Sequence, residues 1–480
     1  MNNPLQAAIR EFIINTQSQD LTSTSTNTST IVDTKENSEI NPKQNDQPET
    51  GTKTQTTSTE TAETAETAEK TKKLIQQPTT TLPKRFTIYP PLLLLPANTF
   101  TIPSTWGNFY NTVLKNNPKL RQILYETIVK RFNSKAAADV SHLAMNAPIS
   151  LIDAYGNENR MRSPTGLIPL YGDFGPPPVG LHNTNNSDDM PSELDFQRAL
   201  WVRTVQNHGI VQIWSPLHTM FSRGNITEKT RILIGLSLNH QEEAAAKAPV
   251  FEGLDIQSLQ GEQIGDISVV DMYAGIGYFV FSYLKRGVKR VWGWEINGWS
   301  IEGLRRGCIE NGWGCKVVSV SDHGKLDIPI DEFVDSLLDT DRVVVFHGDN
   351  AFAADILHGI KCVIEDRGRR WYSIRHVNLG LLPSSRCSWE GACKLIDLYK
   401  GGWTHVHENA DIHQIDQMKE YIIAELKELR TQAYRACHNH ELSLPGKEIV
   451  ADCRHVEQVK TYAPGVMHCV FDIKLSSLIV

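Results

Sequence analysis

The sequence predicts an α/β fold: a mainly parallel β-sheet flanked by helices, with a small mixed N-terminal module and a disordered N-terminal tract in front of it. Three observations predict it. From residue 191 onward, short β-branched or aromatic runs alternate with helix-like stretches, the pattern of βαβ units. Residues 84–190 are rich in Pro, Gly and Asn and show little periodicity. Residues 20–83 are nearly all Thr, Ser, Asn, Gln, Glu and Lys, without one aromatic residue. The division expected from this is a low-complexity, mostly disordered tract over 1–83, a small module over 84–190 and the sheet-bearing domain over 191–480.

The tract includes the period-three run "TETAETAETAEK". It offers too little apolar surface to offset the entropy of ordering it. Ahead of it, "PLQAAIREFII" has helix-like apolar spacing and belongs either to the folded part or to a frayed helix. The prolines of "RFTIYPPLLLLPANTF" and "NRMRSPTGLIPLYGDFGPPPVG" argue against long helices in the module. In the last domain, "DISVVDM", "RVWGWEI", "RVVVFHGD", "YSIRHVNLG" and "WTHVHENA" read as strands. Ile415, Met418, Ile422, Leu426 and Leu429 recur at helical spacing with Lys and Glu between them. The end, "RHVEQVKTYAPGVMHCVFDIKL", reads as two strands about a "PG" turn. Such a hairpin suits an antiparallel edge on a parallel sheet.

The net charge of the 480 residues is −7. Residues 1–80 hold 7 Lys/Arg against 11 Asp/Glu, so the rest is near neutral. A neutral balance neither favours nor excludes nucleic acid, because a local patch decides phosphate binding. The eight cysteines form no CxxC pair. With no basic-then-apolar leader, reduced thiols are expected rather than a disulfide frame or a zinc site. The longest apolar runs, such as "PPLLLLP", are too short to span a bilayer. The expectation is a cytoplasmic protein with no membrane contact and no metal.

In an open parallel sheet, ligands sit beyond the carboxyl ends of the strands. The first strand ends at Asp271, and Gly275 and Gly277 follow. These glycines permit a tight turn and bring backbone N–H groups close to a ligand; alone, the pattern fits a structural turn equally well. Glu295 ends the next strand, 24 residues after Asp271. A carboxylate at that distance can accept both hydroxyl protons of a nucleoside ribose, and a helix cap is the competing cause. The third glycine of a dinucleotide motif is missing, since Val280 stands there after bulky Tyr278 and Phe279. A ligand without phosphates, such as S-adenosylmethionine, suits this turn better. Asp349 and Asn350 at the third strand end offer an acid and an amide to an adenine edge, with an Asx turn as the alternative. Asn378, before the Gly380/Pro383 segment, would set an amide beside the sulfonium and orient an attacking base. A plain strand-to-loop turn is the other reading of that segment.

Five motifs in order carry a resemblance: "WSPLHTMFSRGNITEKTRI", "DMYAGIGYF", "GWEINGWSIEGLRRG", "HGDNA" and "VNLGLLPSS". The chain resembles the class I S-adenosylmethionine-dependent tRNA-modifying family, which includes the tRNA guanine-N1 methyltransferases. Within it, the sequence is similar to the wybutosine-synthesising aminocarboxypropyltransferases, over about residues 84–480 and most strongly over 200–410. The resemblance implies a class I methyltransferase-like (Rossmann-like) fold, with 191–480 as the S-adenosylmethionine-binding catalytic domain. It implies that Ser222 and Lys229 contact the donor, Lys229 through its carboxylate, with Glu295 at the ribose, Asp349 and Asn350 at the adenine and Asn378 at the reacting centre. The implied reaction moves the 3-amino-3-carboxypropyl group to carbon 7 of the tricyclic 4-demethylwyosine base of tRNA(Phe), releasing methylthioadenosine. A small rotation of a sulfonium exchanges the group that is in line for transfer, so tRNA methylation by the same scaffold stays open. A non-enzymatic RNA-binding protein and, weakly, a nicotinamide dehydrogenase are further readings. The acidic tract and the segment "VSVSDHGKLDIPIDEFVDSLLDT" depart from the family and read as surface loops.

Lys361, Arg367, Arg369, Arg370, Arg375 and Arg386 outnumber Glu365 and Asp366 around Trp371 and Tyr372. Cations interleaved with aromatics suit a single-stranded RNA loop, and equally a solvated loop. His405 and His407 share one strand face and read as core or edge histidines rather than metal ligands.

Overall fold

The computed structural model describes residues 3–25, 81–135, 139–147, 149–150, 152, 158–164, 166–178, 190–221, 226–234, 251–437 and 449–476. Most of the low-complexity tract lies outside the described residues, as does Ser222. The chain divides into two compact units, 1–147 with 167–173 and 148–166 with 174–480.

The first unit holds α1 (Pro4–Ser25), β1 (Thr87–Tyr89), β2 (Leu92–Leu95), α2 (Ser104–Phe109), α3 (Pro118–Lys135), β3 (His142–Met145) and β4 (Ile168–Tyr171). Its four strands lie in the order β1-β2-β3-β4. The early apolar stretch is a packed helix face: Leu5, Ala8, Ile9 and Phe12 share a core with Leu124, Ile128 and Phe132. That spacing of three and four residues puts them on one side of α1. The prolines of the module did not preclude a long helix, because α3 runs for 18 residues. Pro118 opens it, where its missing N–H costs nothing, and the Asn117 side chain accepts from the Leu120 N–H at 3.1 Å.

The second unit begins with α4 (Glu193–Arg198), the β5–β6 hairpin (Val202–Val205, Val211–Trp214) and α5 (Ile226–Leu233). Then come β7 (Ile267–Asp271), α6 (Val280–Arg286), β8 (Arg290–Glu295), α7 (Gly298–Glu310), β9 (Gly314–Ser319), α8 (Ile330–Asp335), β10 (Asp341–His347), α9 (Ala353–Asp366), β11 (Ser373–Leu379), α10 (Trp389–Leu395), β12 (Gly402–Asp411), α11 (Ile415–Cys437), β13 (Ala451–Ala463) and β14 (Val466–Leu475). Eight strands make one sheet in the order β13-β14-β12-β11-β7-β8-β10-β9. β7 to β12 are parallel, and β14 closes antiparallel on β12 with β13 outside it. β7 and β11 are buried along their whole length, as expected where helices cover both faces of a parallel sheet.

The segment that read as a surface loop between the second and third strand ends is partly core. β9 pairs parallel with β10 as an edge strand, and Phe333, Val334 and Leu337 are buried against the sheet. Its charged residues flank these apolar ones and mask them in the sequence. Among the described residues, no helix is long and apolar enough to cross a membrane, and no group of three His, Cys, Asp or Glu is placed to hold a metal ion.

Candidate active site

Because β7, β8, β10, β11 and β12 are parallel, their carboxyl ends share one rim of the sheet. β7 sits where the strand order reverses, with β8 on one side and β11 on the other. That switch point is where an open α/β sheet leaves a crevice. The glycine turn fills it. Gly275 and Gly277 have φ of +55° and +88°, and a Cβ on Gly277 would lie 2.6 Å from the Phe281 ring. Only glycine fits both demands.

Glu295 clamps this turn. One oxygen accepts the Gly275 N–H at 2.8 Å and the other the Asn297 N–H at 2.8 Å. Burial pushes its pKa up, and the N–H groups of Asn297, Gly275 and Ile296 offset part of that rise. A carboxylate has about four lone-pair sites, so a further donor can still be received. Asn297 is itself buried, donating to the His218 carbonyl at 3.0 Å, and the His218 ring stacks on Trp299 at 3.7 Å. Burial lowers the His218 pKa to about 4, so that ring is neutral.

At the end of β10, Asp349 caps a short turn by accepting from the Ala351 N–H at 2.9 Å, and it pairs with Arg160 at 3.1 Å. The Asn350 amide donates to the Met272 carbonyl at 2.7 Å and accepts from the Ser388 hydroxyl at 3.3 Å. Tyr273 of the glycine turn also bonds Ser388 at 2.5 Å. Asn350 therefore ties the glycine turn to the loop before α10, and Asp349 keeps one face in solvent. The 158–164 segment reaches the same rim: Arg162 donates to the Leu382 carbonyl at 2.7 Å, and the Met161 carbonyl accepts from Asn297 at 3.4 Å.

Asn378 lies on β11 in register with Asp271 of β7, and it is 2 % exposed. Its Oδ1 accepts from the Tyr283 hydroxyl at 3.2 Å, while its Nδ2 is buried without a partner among the described residues. Asp271 accepts from the Tyr273 N–H at 3.2 Å, and its second oxygen has no partner among them either. Burial, with the Glu295 charge adding to it, lifts the Asp271 pKa to about 7. The following loop is fixed from β12, where Glu408 accepts from the Ser384 hydroxyl at 3.0 Å and the Ser385 N–H at 2.8 Å.

Lys229 on α5 is the most telling residue. Its side chain is buried, its ammonium has no hydrogen-bond partner among the described residues, and it stands 4.9 Å over the Tyr278 ring of the glycine turn. Burial alone lowers its pKa to about 8. An unpaired buried ammonium is costly, and an anion placed beside the turn removes the cost. The carboxylate of S-adenosylmethionine is such an anion, so the residues present fit the donor at that end.

Glu295, Asp349, Asn350 and Asn378 thus meet at one rim with the glycine turn, and Lys229 joins it from α5. Asp271, Tyr283 and Glu408 were not anticipated as site groups. Asp271 stood in the sequence only as a strand end, and nothing in a single sequence announces a tyrosine reaching across from α6. The cations of the basic stretch around Trp371 are engaged within the protein. Arg367 pairs with Asp331 and Asp335, Arg370 with Asp266 at 2.9 Å, and buried Arg375 with Glu262. Trp371 stacks on Trp292 at 5.8 Å. Residues 367–372 precede β11, so they lie at the opposite end of the strands from the rim.

The strand order, the glycine turn at the switch point and the acidic strand ends define a class I methyltransferase-like fold. No protein-family profile matches the chain. The tRNA wybutosine-synthesizing protein 2 of Schizosaccharomyces pombe is 35% identical over 393 residues, 82% of this chain and 73% of that protein. The Saccharomyces cerevisiae protein of the same name is 30% identical over 406 residues, 82% of this chain and 74% of that one. The chain belongs to the tRNA wybutosine-synthesizing protein 2 family. Among solved structures, P. horikoshii TYW2 in complex with MeSAdo aligns with a TM-score of 0.44 and 14% identity, over 86% of this chain and 98% of that one.

Proposed function

We propose that the protein performs its aminocarboxypropyl transfer on tRNA(Phe), at carbon 7 of the 4-demethylwyosine base beside the anticodon, in the cytoplasm. It is an S-adenosylmethionine-dependent tRNA transferase of wybutosine synthesis. When bound, S-adenosylmethionine would supply the electrophilic carbon: a C–C bond forms at carbon 7 of the base as the C–S bond breaks, the sulfonium leaves as methylthioadenosine, and the carbon-7 proton is then lost to water.

The chain's own residues bind and orient. Lys229 pairs with the donor carboxylate as a point charge, and Ser222, earlier in the same sequence motif, assists it. Glu295 accepts the ribose hydroxyl protons while holding Gly275 and Asn297 in place. Asp349 and Asn350 take the adenine side. Asn378 orients the acceptor base through its unpartnered amide N–H. No residue is asked for acid–base work before the bond forms, since alignment of nucleophile and carbon accounts for the selection.

The observation that carries this reading is the buried Lys229 ammonium beside the glycine turn, without a hydrogen-bond partner among the described residues. It fixes the amino-acid end of the donor and so decides which carbon faces the acceptor. The test incubates purified protein with precursor tRNA(Phe) and S-adenosylmethionine labelled in the aminocarboxypropyl chain. Label in the base with release of methylthioadenosine is expected. Release of adenosylhomocysteine, with the label staying in the small molecule, would make the protein a methyltransferase.

A further inference from the structure

Helix α5 carries Glu228, Lys229 and Arg231, and all three are buried in a helix only eight residues long. Successive residues turn by about 100°, so Arg231 points roughly opposite to Lys229. Lys229 goes to the glycine turn and Arg231 goes to the far strands. There Arg231 pairs with Asp472 of β14, lies 3.5 Å from Glu228 and 3.9 Å from Glu457 of β13, and covers the Phe251 ring at 5.3 Å.

Asp472 is the end of a transverse row. Asp271, Asn378, His405 and Asp472 are register partners on the four adjacent strands β7, β11, β12 and β14. His405 bonds the second Asp472 oxygen at 2.7 Å and the His376 ring at 3.0 Å. His376, two residues before Asn378, bonds the Gly253 carbonyl at 2.8 Å. Gly253 admits no side chain, since a Cβ would lie 2.5 Å from the His376 ring. The row thus runs from the glycine turn to the strand that anchors α5.

We propose that Arg231 and Asp472, oriented by His405, are positioning residues that fix the rotation of α5 and so hold the Lys229 ammonium beside the turn. A buried ion pair is a poor source of stability compared with apolar residues of equal volume. It is, however, directional, and it adds to the buried Ile232 and Leu233 in setting the rotation of a two-turn helix. The inference rests on the reading that Lys229 binds the donor carboxylate.

The experiment compares two ligands by calorimetry. S-adenosylmethionine carries the carboxylate, and methylthioadenosine lacks it. Arg231→Lys and Asp472→Asn are expected to weaken S-adenosylmethionine binding about tenfold and to leave methylthioadenosine binding unchanged. Their KM for S-adenosylmethionine rises while kcat holds. Adding either change to Lys229→Met brings no further loss. The paired variant Arg231→Met with Asp472→Leu removes both charges at similar volume, keeps the fold, and shows the same selective loss. Equal loss for both ligands, or no loss for either, overturns the proposal. If Lys229→Met itself binds S-adenosylmethionine as the parent does, the carboxylate reading has failed instead.

Discussion

The two ends of the parallel strands treat positive charge in opposite ways. At the amino end of β11, Arg367, Arg370 and Arg375 are each matched with a carboxylate, and Arg369 donates to the Val334 and Leu337 carbonyls. At the carboxyl end Arg160 pairs with Asp349, but the buried Lys229 ammonium lies over the Tyr278 ring with no carboxylate or hydrogen-bond partner among the described residues. The amino end holds more cations, yet they are consumed in holding α8, β11 and the loop before β7 together. A count of charges along the sequence favours the amino end, where the cations are already paired. What marks a binding group is a charge whose desolvation the protein itself leaves uncompensated.

Lys229→Met breaks the comparison most directly. S-adenosylmethionine affinity should fall about a hundredfold, the scale for losing one partner of a buried charge pair. The apo protein should melt no lower than the parent, because an uncompensated buried charge has been removed. A lower melting temperature together with full affinity would mean the ammonium is structural. Glu295→Ala comes next, with affinity falling about tenfold. Since Gly275 and Asn297 lose an acceptor, the melting temperature drops as well. Affinity equal to the parent's would remove Glu295 from the donor site.

The pH dependence is a smaller effect with a definite sign. Burial lowers the Lys229 pKa from 10.5 to about 8. Below that value the ammonium is charged and holds a carboxylate; above it the amine is neutral. Binding of S-adenosylmethionine should therefore weaken as pH rises through about 8, and Lys229→Met should lose that step. Between about 8 and 10.5 the unfolded chain holds this proton and the folded one does not, so Lys229 makes apo stability rise with pH in that window. A flat affinity profile from pH 7 to 9 in the parent contradicts the assignment. The smallest effect belongs to Arg370→Ala, at an exposed ion pair worth little. The rate of tRNA modification should stay within about twofold; a large loss would restore the amino end as an RNA surface.

Much of the catalytic unit was legible in the chain. The strands ending at Asp271, Glu295, His347 and Asn378–Leu379 were readable because parallel strands buried on both faces are continuous apolar runs that stop at polar turns. The closing hairpin was readable from its "PG" turn. β9 and α8 were not, because their few buried residues are embedded in charged sequence. The α3 helix was hidden by the prolines around it, though Pro118 merely opens it.

The site divides along the same line. The local sequence determined the glycine turn and the acidic strand ends, since backbone sterics and strand alternation act over a few residues. The tertiary structure alone decided which polar groups are paired. Asp472 lies 241 residues from Arg231 and Asn378 lies 95 residues from Tyr283, and only the packing of strand on strand and helix on sheet brings them together. The same packing left Lys229 without a hydrogen-bond or carboxylate partner among the described residues, because burial and the match of charges belong to the folded surroundings and not to the residue.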